Sequence, residues 1–281
     1  MIDQSQVNII IPHLGGTKET EYSINQCIFS LRETSDIKIT LSTNGNKCMQ
    51  RHEVDEWIQM DRQGQAVAVN VAVATTNTPW IFVTNDDMVY ASGWFEQLIN
   101  DGNPTPPWPK LCISPKLIEP RPGAPTFEVF FAGGAGGDFD KGKWLEFEKN
   151  YTRREPPGNI RTGFNLPFLI KKELWDLIGG YDINYDPWGS NGDSDLEYKI
   201  RLAGIQPYQN TNCIVYHFSQ TSGTFHPDNR EYWQKNWDYF IKKWGFPRTD
   251  DGIWEANFQM PTDKEGRIFF PEWEGKYGSV Y

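Results

Sequence analysis

A chain of 281 residues that is 38% hydrophobic and 15% aromatic has room for one large α/β core or two small ones. Its net charge is −10 and its basic residues form only short clusters such as Arg153-Arg154 and Lys242-Lys243, which speaks against a nucleic-acid partner. No apolar run reaches the ~18 residues of a membrane span, and the N-terminus lacks a secretory pattern, so no membrane span and a cytoplasmic location are expected.

Cys27, Cys48, Cys112 and Cys213 are scattered without CxxC spacing. They read as reduced, mostly buried thiols, and zinc held through cysteine is not expected. The 12 Trp and 12 Tyr hint at a flat polar ligand such as a sugar or a base, with bulky core filling the commoner reason for such a surplus.

In chain order, Val7 to Pro12 is a buried strand closed by proline. Residues 19–34 form a predicted helix, with Ile24, Cys27, Ile28 and Leu31 at i, i+3, i+4 and i+7. Residues 37–41 form a second strand ending in the turn Ser42-Thr43-Asn44-Gly45, and residues 65–75 a small-residue helix. Trp80 to Val83 is a third strand, running directly into Asn85-Asp86-Asp87. Strands and helices alternating at this spacing imply βαβ units and a parallel sheet.

Carboxylates at the carboxyl end of such a strand sit where open α/β sheets bind ligands. Two adjacent acids there call for positive charge, usually a divalent cation. A plain strand followed by an Asn-Asp turn gives the same pattern, so both readings stay open.

Residues 94–99 form a predicted helix, 101–109 the best boundary between halves, and 111–114 a strand. Residues 127–158 look irregular and include the glycine-rich stretch 132–137, either a surface loop or a lid. A helix over 171–178 is stopped by Gly179-Gly180, and an aromatic, acidic loop through Trp188 follows. Residues 196–203 form a helix with an i, i+4 pair between Glu197 and Arg201. A strand over 214–218 carries His217, residues 232–244 look helical, and the rest of the tail, with Trp254 and Trp273, looks irregular.

Gly192-Asp193-Ser194-Asp195-Leu196-Glu197 holds the second group of acids. Ser194 and Glu197 have capping-box spacing, which places Asp193 in the loop just before the helix, free to act as a general base. Asp195 falls in the first turn, where the helix dipole favours a carboxylate whatever its role. Trp188 and Asp195 are candidate ligand contacts. His217 reads as a structural histidine or as a partner of Asp87 at a Mn²⁺ or Mg²⁺ site.

These segments together resemble an inverting family 2 glycosyltransferase. The resemblance rests on Val7 to Pro12, Thr43-Asn44-Gly45, Phe82-Val83-Thr84-Asn85-Asp86-Asp87 and Gly93-Trp94 in the first half. It continues through Phe168 to Lys172, Leu174, Gly179-Gly180-Tyr181-Asp182, Gly192 to Leu196, Arg201 to Gly204 and Val215-Tyr216-His217. It covers residues 5–225. The implied fold is a single-domain α/β nucleotide-sugar-binding fold of the GT-A type, with a mainly parallel central sheet flanked by helices. The transferase domain would span 1–225, with a nucleotide-binding half at 1–100 and an acceptor half at 101–225. Residues 226–281 would be an aromatic-rich extension packed on it.

The resemblance implies a nucleotide-sugar donor, a carbohydrate or other hydroxyl-bearing acceptor, and Mn²⁺ or Mg²⁺. Asp87 matches the metal-binding end of the family's DXD motif, and Asn85 stands at its first place, where Asp is usual. Asp193 matches the catalytic base, preceded by Gly192 where relatives often carry Glu. His217 matches a metal-reaching histidine. Thr43 stands where an Asp often contacts the nucleotide base, and Pro12, Thr43, Asn44, Asn85 and Asp86 are the implied donor contacts. Rivals are a sugar nucleotidyltransferase, faintly suggested by Gly15-Gly16-Thr17-Lys18, a non-catalytic carbohydrate-binding protein using its Trp side chains, and a transferase whose acceptor is a nucleic-acid base, against which the acidity of the chain argues without deciding.

Overall fold

The apolar runs become strands stacked at the centre of one sheet. The computed structural model describes residues 2–45, 48, 52–100, 111–121, 128–151, 160–219 and 226–244. The boundary expected at 101–109 and the tail beyond 244 lie outside the described residues.

The first half contains β1 (Val7–His13), α1 (Lys18–Thr34), β2 (Lys38–Asn44), β3 (Glu56–Met60), α2 (Gln65–Thr75) and β4 (Trp80–Val83). β1 pairs in parallel with β2 on one side and β4 on the other, and β3 adds in parallel to β2. The carbonyl of Ile10 accepts from Thr84 N at 3.0 Å, closing the ladder with β4. Pro12, two residues on, faces the same side beyond that ladder, where its missing N–H costs no bond.

The second half adds β5 (Met88–Tyr90), α3 (Trp94–Asn100), β6 (Cys112–Glu119), β7 (Glu128–Val129), α4 (Lys141–Tyr151), β8 (Ile160–Thr162) and β9 (Phe168–Lys171). Then come α5 (Lys172–Ile178), α6 (Gly192–Leu202), β10 (Tyr208–His217) and α7 (Arg230–Trp244). The strand order is β3-β2-β1-β4-β9-β6-β10-β5, with β7 beside β6 and β8 beside β10. β9 runs antiparallel to both neighbours, and β5 and β8 run antiparallel to β10. The sheet is thus mainly parallel, as expected, but not purely so, because β5, β8 and β9 run against their neighbours.

Alternation along each strand divides the core between two faces. Ile9, Ile11 and Phe82 join Ile24, Cys27, Ile28 and Leu31 of α1 and Trp94, Phe95 and Leu98 of α3 on one face. Ile10, Ile81 and Val83 join α2, α5 and α6 on the other. A third cluster holds Trp144, Phe147 and Tyr151 of α4 against Ile214 and Tyr216. The helix at 141–151 thus lies inside the stretch that reads as irregular. β6 also continues five residues past the expected strand end at Ser114, through Pro115 to Glu119.

The glycine-rich loop at 132–137 is tied to β10. Tyr216 Oη donates to Gly133 O at 2.6 Å and accepts from Ala132 N at 3.2 Å. A Cβ on Gly133, whose φ is +115°, would come within 2.3 Å of Asp138 O, so this tight return needs glycine. No helix among the described residues is long and apolar enough to cross a membrane.

Candidate active site

Between β4 and β5 the chain makes the turn Thr84-Asn85-Asp86-Asp87, fixed by Tyr90 Oη donating to Thr84 Oγ1 at 2.6 Å. The two adjacent acids diverge, and each meets a different histidine. Asp86 Oδ2 lies 2.6 Å from His13 Nδ1 at the end of β1. Asp87 Oδ2 lies 3.3 Å from His217 Nε2 at the end of β10, and Phe218 N donates to the Asp87 carbonyl at 3.0 Å. The structure thus brings Asp87 and His217 together.

Behind His217, Nδ1 lies 2.7 Å from Glu119 Oε1, and Glu119 is buried at the end of β6. A carboxylate behind an imidazole fixes the tautomer and aims the other nitrogen, the usual support of a metal-ligating histidine. The 3.3 Å between Asp87 Oδ2 and His217 Nε2 is close to the ~3 Å expected between neighbouring donors each ~2.1 Å from one ion. One carboxylate and one imidazole suit a first-row divalent ion such as Mn²⁺. Burial disfavours charge on the bare His217, yet Asp87 and Glu119 outweigh it and raise its pKa to about 10. The site therefore draws positive charge, and these residues fit a divalent cation.

The other half of the site is built around the start of α2. Gly64 precedes it at φ +143°, where a Cβ would collide with the Asp186 carboxylate. That carboxylate instead accepts from Ala66 N and Val67 N at 3.0 Å each, occupying the helix N-terminus. Gln65 Nε2 donates to Asn85 Oδ1 at 3.1 Å, and the Gln65 side chain also lies against Gly189. Gln65 thereby ties the acidic turn to the loop that leads into α6.

That loop enters α6 through Asn191 in the left-handed region at φ 66°. The helix begins at Gly192, so Asp193 stands in its first turn rather than in the loop before it. The expected capping box does not form, because Ser194 and Glu197 are already inside the helix. Glu197 instead accepts from Arg201 Nη2 at 2.6 Å and Nε at 3.0 Å, the i, i+4 pair. Asp193 Oδ1 accepts from Tyr181 Oη at 2.9 Å. Tyr181 is itself clasped by Asn70, which bonds both its N–H (2.9 Å) and its carbonyl (2.8 Å). Burial and the neighbouring Asp193 push the Tyr181 phenol well above its usual pKa, so it stays a firm donor to that carboxylate.

The remaining expected contacts are placed differently. Thr43 is buried, with Oγ1 donating to Ile58 O at 3.3 Å and accepting from Trp57 Nε1 at 3.1 Å, within the β2–β3 seam. Asn44 Oδ1 accepts from Gln63 N at 2.6 Å and Gly64 N at 3.2 Å, shaping the approach to α2. Trp188 is half-buried in the loop before α6, with the Arg62 guanidinium 5.3 Å from its ring centre. Asp195 has no exposed surface, and its Oδ1 accepts from Trp244 Nε1 at 2.8 Å and lies 2.7 Å from Lys243 Nζ. Its carboxylate faces inward onto α7 and offers no open surface to an acceptor.

His13, Gln65, Glu119, Tyr181 and Asp186 are the structurally prominent residues that sequence reasoning did not single out. Glu119 is hidden by Pro115 and Lys116, which interrupt its strand. His13 directly follows Pro12 at the end of β1 and sits opposite the acids of the next parallel strand. That register was the available signal.

Neither a protein-family model nor a curated protein sequence matches the chain. Among solved structures, the chain is similar to the crystal structure of GalNAc-T7 with UDP, GalNAc and Mn²⁺, at a TM-score of 0.52 and 14% identity. The match covers 75% of this chain and 42% of that one, so this chain spans less than half of its neighbour's length. At such low identity the likeness concerns the fold. The chain folds as a mixed α/β domain, a sheet flanked by helices, similar to that of a GT-A glycosyltransferase.

Proposed function

We propose that this protein transfers a sugar from a nucleotide-sugar donor to an acceptor hydroxyl, with inversion at the anomeric carbon and with a divalent cation, Mn²⁺ or Mg²⁺. The observation that carries the proposal is the convergence of Asp87 and His217 at 3.3 Å, backed by Glu119, on the edge of a GT-A type sheet. Asp87 and His217 would hold the cation, and when bound it neutralises charge developing on a departing nucleoside diphosphate. Glu119 keeps His217 Nε2 aimed at the site. The donor would lie along the carboxyl ends of β1, β2 and β4, beside Pro12, Asn44 and the turn at Asn85 and Asp86.

Asp193 is the proposed general base. As the acceptor oxygen bonds to the anomeric carbon and the bond from that carbon to the diphosphate oxygen breaks, the acceptor's proton passes to the Asp193 carboxylate. Tyr181 holds one oxygen of that carboxylate, which orients it for the transfer. Trp188, half-buried beside this helix start, is the proposed acceptor platform.

The UDP in the neighbouring structure makes uridine diphosphate sugars the first donors to assay. Metal-dependent release of nucleoside diphosphate with formation of a glycoside supports the proposal. Asp193→Asn is expected to lower turnover by about 10²- to 10⁴-fold while donor affinity stays close to wild type. Unchanged turnover removes Asp193 as the base. Release of pyrophosphate from a nucleoside triphosphate and a sugar phosphate would replace transfer with nucleotidyl chemistry.

A further inference from the structure

A second group of metal-binding side chains meets on the opposite side of the acidic turn. His13 ends β1 and its imidazole has no exposed surface. Glu21 comes from the beginning of α1 with 30% of its side chain exposed, and Cys48, fully buried, comes from the segment after β2. A ring nitrogen of His13, a carboxylate oxygen of Glu21 and the sulfur of Cys48 all lie within 4.8 Å of one another.

The histidine is aimed. Its Nδ1 is 2.6 Å from Asp86 Oδ2, while its Nε2 is buried, makes no hydrogen bond and lies 3.5 Å from Glu21 Oε1. Glu21 Oε2 is likewise buried without a hydrogen bond. A buried polar atom in this state ordinarily has an unseen partner. The carboxylate behind the imidazole repeats the arrangement of Glu119 behind His217, again orienting the far nitrogen.

We propose that His13, Glu21 and Cys48 bind a zinc ion, with Asp86 as the positioning carboxylate behind His13. The donor chemistry selects the metal. A thiolate favours zinc over manganese or magnesium, and Cys, His and carboxylate are its ordinary ligands. One thiolate and one carboxylate balance the two charges of the ion, and a water completes four-coordination. The Asp87–His217 pair contains no sulfur, so the two adjacent acids divide two ions of different character between them. Zinc here joins the end of β1, the start of α1 and the segment after β2, and through Asp86 it steadies the turn that carries Asp87. Positions 13, 21 and 48 have no recognised zinc-motif spacing, because only the parallel pairing of β1 with β2 brings them together.

The full-length chain, stripped with a chelator, is titrated with Co²⁺ as a spectroscopic probe and then with Zn²⁺ as competitor. A thiolate-to-Co²⁺ charge-transfer band in the near ultraviolet is expected at one equivalent, with Zn²⁺ abolishing it. Cys48→Ser should lose the band, whereas Asp87→Asn and His217→Ala should keep it. Asp86→Asn, which leaves the three ligands in place, should weaken zinc binding about 10- to 100-fold, and Glu21→Gln at least as much. Glu21 is partly exposed, so its variant tests the site even if Cys48→Ser does not fold. Absence of the band in the folded wild type, or unchanged zinc affinity in Glu21→Gln, overturns the proposal. Loss of transferase activity with the band intact bears only on the Asp87–His217 reading.

Discussion

At the scale of single residues, the site turns on how each histidine is held. Glu119 and His217 are 98 positions apart in sequence yet 2.7 Å apart in space, and Glu119 meets Nδ1 while Nε2 meets Asp87. Glu119→Gln should therefore raise the Mn²⁺ concentration needed for half-maximal transfer by about 10- to 100-fold while leaving turnover at saturating metal largely intact. An initial-rate titration of the metal reads both quantities. Equal loss of turnover at all metal concentrations would mean that Glu119 has a different role. His217 and Asp87 are legible in the sequence because they end apolar runs. Glu119 is not, because its strand contains a proline and a lysine, and only its pairing with β10 makes it a neighbour of His217.

At the scale of elements, α7 is the piece whose attachment is most polar. Asp182 accepts from Lys243 Nζ at 2.6 Å and Tyr239 Oη at 2.9 Å, while Asp195 takes Trp244 Nε1 and Lys243 on the inner side. Burial works against the Asp182 carboxylate, but Lys243, Asn184 and Tyr239 more than compensate and lower its pKa to about 2. Because the folded value lies below the unfolded one, this stabilisation is present above pH ~4 and is lost as pH falls toward 2; it amounts to about 2 kcal/mol. Urea unfolding at pH 6 and pH 3 should show Asp182→Asn less stable than wild type at both, with the deficit at pH 3 reduced to about half of that at pH 6. Trp244 also packs on Tyr198 with ring centres 4.9 Å apart, and Trp244→Ala should cost about 3–5 kcal/mol in the same assay. Helices with an apolar stripe, such as α1, and strands buried on both faces were readable from spacing alone. α4 carries its own signal in Trp144, Phe147 and Tyr151, but the neighbouring glycines disguise it. The start of α6 was misplaced because Asn191 enters it in a left-handed conformation without a side-chain cap, which sequence patterns for caps do not describe.

At the scale of the whole molecule, the proposed function asks a chain with a net charge of −10 to bind a donor that is itself an anion. Mn²⁺ and UDP together should therefore raise the melting temperature more than the sum of their separate effects, since each lowers the electrostatic cost of the other. At a hundredfold excess over its dissociation constant a ligand adds about 2.7 kcal/mol of stability, and differential scanning fluorimetry in the four combinations measures the excess. Strict additivity would mean that cation and nucleotide do not share a site. The antiparallel strands within the sheet were not legible, because nothing in an apolar run such as Phe168 to Lys171 declares which way the strand points. The position of β5 has a further consequence for biosynthesis. Met88, next to Asp87, is paired antiparallel with His217 across the sheet edge. A chain emerging from the ribosome has β1, β2 and β4 early, but it lacks His217, the second residue proposed to hold the cation, until β10 has been synthesised. On the proposed function, incomplete chains would therefore have no transfer activity until synthesis reaches β10.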